Sequence, residues 1–142
     1  MTALSDTAQN FNWLIDDFVD TTAGVTDAIA VSSDGLLIAA SRSLERQDAE
    51  QVAAIVTGMV SLSEGASRAF GFDGLQQVII SMRGGYLFVS SISLGSAIGV
   101  VATAGCDIGL IGYQTSLLVE RCGAVLTPDL IAELRVSVIT PG

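Results

Sequence analysis

Between Leu44 and Phe70 the chain runs LERQDAEQVAAIVTGMVSLSEGASRAF, a proline-free stretch whose apolar residues recur at three- and four-residue intervals. At about 100° per residue, Val52, Ile55, Val56, Met59, Ser63, Ala66 and Phe70 gather on one side of a helix, the spacing of a face packed on a core. Ala54, Gly58, Gly65 and Ala69 gather on a second side, where the lack of bulk admits another backbone. Arg46, Glu50, Thr57, Glu64 and Arg68 form a third, polar side. A helix with one neighbour does not need three such sides. The pattern predicts a helix packed on its own sheet, on a symmetry mate and under a binding partner.

The remaining elements are shorter. Residues 1–7 carry no repeat and are expected to be a flexible end. From Ala8, Phe11, Leu14, Ile15, Phe18 and Val19 recur at helical spacing, with Asn12, Asp16, Asp17 and Asp20 on the wet side and Trp13 near the boundary, where a partly buried anchor is expected. Gly24 ends that segment. Val25 to Ser41 then reads as strand, turn and strand. Asp34-Gly35 between two apolar runs is the signal for a tight primed turn, since both residues tolerate positive φ. Asp27 has no second acid close enough in sequence to suggest a catalytic pair and reads as a strand-edge or cap acid. Leu75 to Met82, Tyr86 to Ile92 and Ala97 to Thr103, joined by short loops, read as an antiparallel meander. Asp107 is the expected N-cap of a helix from Ile108 to about Ala124. Thr127-Pro128 opens a short helix, LIAEL, and Arg135 to Gly142 is expected to be a tail that either pairs with a sheet edge or is disordered.

Composition narrows the chemistry. The 142-residue chain is half apolar, enough for a single core, yet no run of about 18 apolar residues is present and Asp107 cuts short the richest segment, Ala97 to Cys106. Without a basic, apolar start resembling a signal peptide, a cytoplasmic protein with no membrane insertion is expected, its surplus of apolar residues buried in an oligomer. The formal charge is −9, all six cations are arginines, and lysine and histidine are absent. That absence removes the ordinary Ser-His-Asp or Cys-His base, a His-containing zinc site, a P-loop and Schiff-base chemistry. Gly84-Gly85 therefore reads as a turn and not as a phosphate loop. No catalytic residue, metal or cofactor is expected, and the acidity argues against nucleic acid. Cys106 and Cys122 read as small buried side chains.

The hairpin AIAVSSDGLLIAAS from Ala28 to Ser41, the long helix after it, and the meander GYLFVSSISLGSAIGVVA from Gly85 to Ala102 together carry a resemblance. In order and spacing, roughly residues 8 to 124 resemble the Roadblock, or dynein light chain, family. They look most like its small stand-alone bacterial members of actinobacterial type, including those associated with sensor kinases and Ras-like small GTPases. The expected fold is α+β: one five-stranded antiparallel sheet with helices on both faces, in the order α-β-β-α-β-β-β-α. The expected organisation is a Roadblock-type domain over 8–126, with a short helix and tail over 127–142. The resemblance implies a homodimer in which two long helices lie side by side and the strand after the helix joins the sheets. This places Ala54, Gly58, Gly65, Ala69, Leu75, Gln77 and Ile79 at the interface. It also implies a small GTPase seated on the paired helices, over Arg46, Glu50, Thr57, Glu64 and Arg68.

The function expected from this is non-catalytic regulation of a Ras-like GTPase. Arg42, Arg46 and Arg68 lie on or beside the platform and invite comparison with an arginine finger. Surface arginines on a polar helix side are more commonly solvated or ion-paired, so repositioning of the GTPase's own residues is the preferred reading. Two other readings stand beside it. One is an assembly adaptor for a sensor kinase complex. The other is a small-molecule sensor, which would need a polar chamber between sheet and helix, lined for example by Trp13, Tyr86 and Phe88.

Overall fold

In the computed structural model, which describes residues 4–139, Ser5 opens helix α1 (Asp6–Thr21) by accepting from the Ala8 amide at 3.2 Å. The same hydroxyl donates to Glu133 Oε1 at 2.7 Å, and the Ser5 amide donates to Oε2 at 2.7 Å. Order thus begins ahead of Ala8, because the cap is tied to a residue near the other end of the chain. Residues 1–3 of the expected flexible end lie outside the described residues.

Five strands form one antiparallel sheet in the order β2-β1-β5-β4-β3: β1 (Val25–Val31), β2 (Leu37–Ala40), β3 (Gln77–Met82), β4 (Gly85–Ser91) and β5 (Ala97–Thr103). Helix α2 (Arg46–Phe70) covers one face. Helices α1, α3 (Ile108–Val125) and α4 (Pro128–Ile139) cover the other. With both faces covered, alternate residues enter different cores. Ala28, Ala30, Phe88, Ile98 and Val100 pack under α1, α3 and α4, whereas Ile29, Val31, Leu87, Val89 and Ala97 pack under α2. This is why the strands read as apolar runs and not as alternating patterns. The expected α+β architecture, with helices on both sheet faces, is the one observed.

The turn between β1 and β2 is longer than Asp34-Gly35 suggested. The Gly35 amide donates to Ser32 O (3.0 Å) and the Ser32 amide to Leu36 O (2.9 Å), and only Gly35 of the pair has positive φ, at 83°. A primed turn is therefore replaced by a wider loop with a register shift at Ala30/Val31. Strand β3 begins at Gln77 and not at Leu75. The Leu75 amide is taken by Glu64 Oε1 (3.1 Å) and the Gly74 amide by Ser67 Oγ (2.7 Å), which holds this segment to α2.

Asp107 caps α3, accepting from the Leu110 amide at 3.0 Å, and Thr127 caps α4, accepting from Leu130 at 3.1 Å. The short helix and tail expected after Thr127 are one helix through Ile139. Leu126, Leu130 and Leu134 continue a four-residue stripe into the core, and Arg135 reaches Asp34 Oδ2 at 3.3 Å. Residues 140–142 lie outside the described residues.

The core side of α2 also differs from expectation. Ala49, Ala53, Val56 and Ser67 are buried, and Val52, Met59 and Val60 are partly so. Ile55 is 48% exposed and Phe70 72% exposed, with Ala66 outside as well. The cause lies in β5: a Cβ on Gly99 would stand 2.5 Å from Val56 Cγ2. Gly99 and the two alanines let α2 settle close to the sheet on its smallest residues, and this turns the bulkier Ile55 and Phe70 outward. Trp13, expected as a partly buried anchor, is 57% exposed. Phe11, Ile15 and Phe18 already fill the inner side of α1.

Candidate interaction surface

Helix α2 meets the sheet with only one of its sides, so the other two are the surface to examine. Ala54, Gly58 and Ala69 are exposed, Gly65 is half-buried, and a Cβ on Gly58 would meet nothing within 4 Å. Beside them run Ile55, Leu62 at 69% exposure, and Phe70. Leu62 was not singled out by the helical pattern, although at 100° per residue it falls within about 20° of Ile55. At the helix end Gly71 takes the left-handed conformation (φ 73°), and the Phe72 amide closes on Ser67 O at 2.8 Å. This reversal stacks the exposed rings of Phe70 and Phe72 with centroids 5.8 Å apart.

The five polar residues of α2 do not form one uniform surface. Arg46 Nε pairs with Glu50 Oε1 at 3.3 Å, one helical turn on, and both side chains remain exposed. Arg68 is exposed. Thr57 is half-buried, its hydroxyl donating to Ala53 O at 2.8 Å and its methyl facing Gly35 of the β1–β2 loop. Glu64 is half-buried and binds the Leu75 amide. Of the five, Glu64 thus holds a neighbouring loop and Thr57 packs against another. Arg42 is held by α1: its amide donates to Asp16 Oδ1 at 2.9 Å and its guanidinium lies 3.2 Å from Asp20.

Strand β3 is a terminal strand of the sheet, so one of its edges has no partner among the described residues. Leu75 precedes this strand and Ile79 lies within it, 43% exposed. The Gln77 side chain turns toward α3, donating to Gly112 O (3.2 Å) and Ser90 Oγ (3.0 Å); glycine at 112 provides the room. Gln77 therefore offers that edge its backbone and not its amide side chain.

Chemistry is sparse. Among the described residues no group of three or more Cys, Asp or Glu could hold a metal ion, and no helix is long and apolar enough to cross a membrane. Cys122 is buried, which pushes its thiol up to about 12, while Cys106 is partly exposed. Phe88 is fully buried and Trp13 lies outside, so the three aromatics do not line a common chamber. Depressions of about 430 and 450 Å³, lined respectively by Leu37, Ala40, Arg42 and Leu44 and by Asp73, Gln76, Ser91 and Glu120, are grooves open to solvent.

The family model of the Roadblock/LC7 domain matches residues 11–102. Among curated protein sequences none matches. A crystal structure of a Roadblock/LC7 domain from Streptomyces avermitilis is similar at 30% identity and TM-score 0.73, over 78% of this chain and 92% of that one. MglB of Myxococcus xanthus is similar at 14% identity and TM-score 0.75, over 82% and 94%. The gliding protein MglB of Thermus thermophilus is similar at 11% identity and TM-score 0.76, over 88% and 94%. At these lower identities the two MglB structures speak for the fold.

Proposed function

We propose, for a chain that belongs to the Roadblock/LC7 domain family, that it is a non-catalytic homodimeric regulator of a Ras-like small GTPase in a bacterial signalling system. Two copies pair through the small and apolar side of α2 and the free edge of β3, with Ala54, Gly58, Gly65, Ala69, Leu75, Gln77 and Ile79 at the contact. The GTPase rests on the polar side of α2, over Arg46, Glu50, Thr57, Glu64 and Arg68, and its nucleotide state or location changes on binding. The observation that carries the reading is the exposure of Ile55, Leu62 and Phe70 on α2 alongside residues too small to keep a second helix away. Patches of this kind mark association surfaces.

Regulation proceeds by repositioning the GTPase's own residues. Arg42 pairs with Asp16 and Asp20 and Arg46 with Glu50, the ion-paired roles common for surface arginines, and this supports the reading. The adaptor reading, in which a sensor kinase component binds without any change in GTP turnover, shares the same surfaces and separates by assay. The sensor reading needs a chamber between sheet and helix, whereas the depressions lined by Leu37 and Arg42 and by Asp73 and Glu120 open to solvent.

The test has two stages. Mass in solution is measured for the wild type, Gly58→Leu and Leu62→Asp; a dimer that both variants split supports the pairing, and a monomeric wild type at micromolar concentration refutes it. Binding and GTP hydrolysis are then measured with small GTPases encoded beside the gene, using Arg68→Glu, a dimer with altered surface charge. No binding by the wild type to any of them refutes the regulator reading. Binding unchanged by Arg68→Glu moves the partner to another surface.

A further inference from the structure

The outer side of α1 offers a second docking surface, on the opposite face of the sheet from α2 and independent of the reading above. Trp13 sits there 57% exposed, although Ala8, Phe11, Ile15 and Phe18 already anchor the helix and leave the indole nothing to do for the fold. Tryptophan is on average a well-buried residue, and leaving so large an apolar surface in water is unfavourable. Its helical neighbours three and four residues away are Gln9, Asn10, Asp16 and Asp17, an entirely polar surround. Helix α1 carries Asp6, Asp16, Asp17 and Asp20 and no cation. The flanking cations are Arg42, already shared between Asp16 and Asp20, and Arg121, which lines a crevice between α1 and α3 together with Asp17. The surface around the indole is therefore negative.

We infer that this face binds a basic amphipathic segment of a partner protein. Apolar side chains of that segment cover the indole, and its arginines or lysines meet the carboxylates and the ring face. The chemistry selects the partner. An exposed tryptophan is the residue type that most often anchors a protein interface, and its ring attracts cations. The carboxylates repel anionic lipid and nucleic-acid phosphate, which leaves a cationic protein segment as the complementary occupant.

Trp13 is the sole tryptophan of the chain, so its emission reports on this surface alone. The probe is a synthetic amphipathic helix of leucine and arginine, with a control in which glutamate replaces each arginine. The expected result is a blue shift of Trp13 emission with the arginine peptide, and binding that weakens at high salt. By anisotropy of a labelled peptide, Trp13→Ala should bind about tenfold or more weakly. Asp17→Asn should weaken binding several-fold with an unchanged melting temperature, which guards against a Trp13→Ala protein that folds poorly. Unshifted emission, equal binding of the glutamate peptide, unchanged binding by Asp17→Asn, or a blue shift on vesicles of phosphatidylglycerol would each overturn the inference. Variants of α2 leave this titration unaltered, so it fails or succeeds separately from the GTPase reading.

Discussion

The seat of α2 on the sheet can be tested by a double-mutant cycle on Val56 and Gly99. Val56 is fully buried, and the Cβ of an alanine at 99 would lie 2.5 Å from its Cγ2, with Ile29 Cγ1 at 3.5 Å and Leu87 Cδ1 at 3.8 Å. Such a contact must open by about 1 Å before it is an ordinary one, and valine has little rotamer freedom in a helix with which to give way. Gly99→Ala should therefore destabilise by about 1–3 kcal/mol through overpacking, less about 0.4–1 kcal/mol gained because the unfolded chain is stiffened. Val56→Ala removes two methyl-sized groups, about 1.6 kcal/mol of transfer, and the cavity raises the loss to about 2 kcal/mol or more. In the double variant the new methyl at 99 occupies the space that Val56 vacates. The combined loss should then fall short of the sum by about 1–2 kcal/mol. The assay is urea unfolding at one fixed protein concentration, with thermal midpoints moving about 3 °C per kcal/mol for a domain of this size. Strict additivity, to within about 0.5 kcal/mol, would refute the contact as the determinant of how α2 sits.

Three further outcomes concern titratable groups. Cys106 should react with a thiol reagent in the native protein, while Cys122 reacts only as fast as the protein unfolds. Since burial lifts the Cys122 thiol from 9.0 to about 12, the unfolded state ionises first and stability should decline as pH rises through that interval, a decline that Cys122→Ala removes. The Asp34 carboxyl is held below its ordinary value of 3.8, first by the Ser32 hydroxyl and further by Arg135, so its contribution is present above that value and is lost as the pH falls through the depressed native one. Urea midpoints of Asp34→Asn should accordingly lie below wild type at neutral pH and converge on it in acid.

Much of the fold could be read along the chain because its signals are local. Asp107 and Thr127 cap the helices they precede, and the pairings of β1 with β2, β3 with β4 and β4 with β5 follow from short loops, whereas the pairing of β1 with β5 joins strands distant in sequence. What could not be read depends on residues distant in sequence. The phase of α2 is decided by the missing side chain of Gly99, and helical periodicity alone cannot distinguish a core stripe from a second apolar stripe beside it. Ile55 belongs to that second stripe and Val56 to the first. Helix α4 outruns LIAEL to Ile139, and its contacts, Glu133 with Ser5 and Arg135 with Asp34, are with residues far away in sequence that a window around Pro128 does not contain. Among the candidate site residues, Gly58 and Arg68 lie open as their helical positions implied. Thr57, Glu64 and Gln77 are drawn into intramolecular hydrogen bonds whose partners are a helix carbonyl, a loop amide and a neighbouring helix.

The two faces of the sheet are finished unequally, and the inequality bears on the proposed dimer. Five strands at about 4.8 Å spacing span roughly 20 Å, whereas one helix with its side chains covers about 10 Å. Three helices lie on one face, and there Ile38, Phe88, Ile98 and Val100 are fully buried. One helix lies on the other. Under it Ile29, Val31 and Val89 are buried, but on the edge strand β3 Val78 and Ile80 are only partly covered and Met82 is open. The shortfall is about the width of one more helix. In the proposed pairing a symmetry-related α2 would supply that width, placing its own Leu62 and Phe70 against a neighbour instead of water. The apolar side of α2 and the half-covered strip of sheet beside it are on this reading two parts of one requirement. A variant that blocks pairing at Gly58 should leave both exposed, and should bind more of a dye that reports apolar surface than the wild type does.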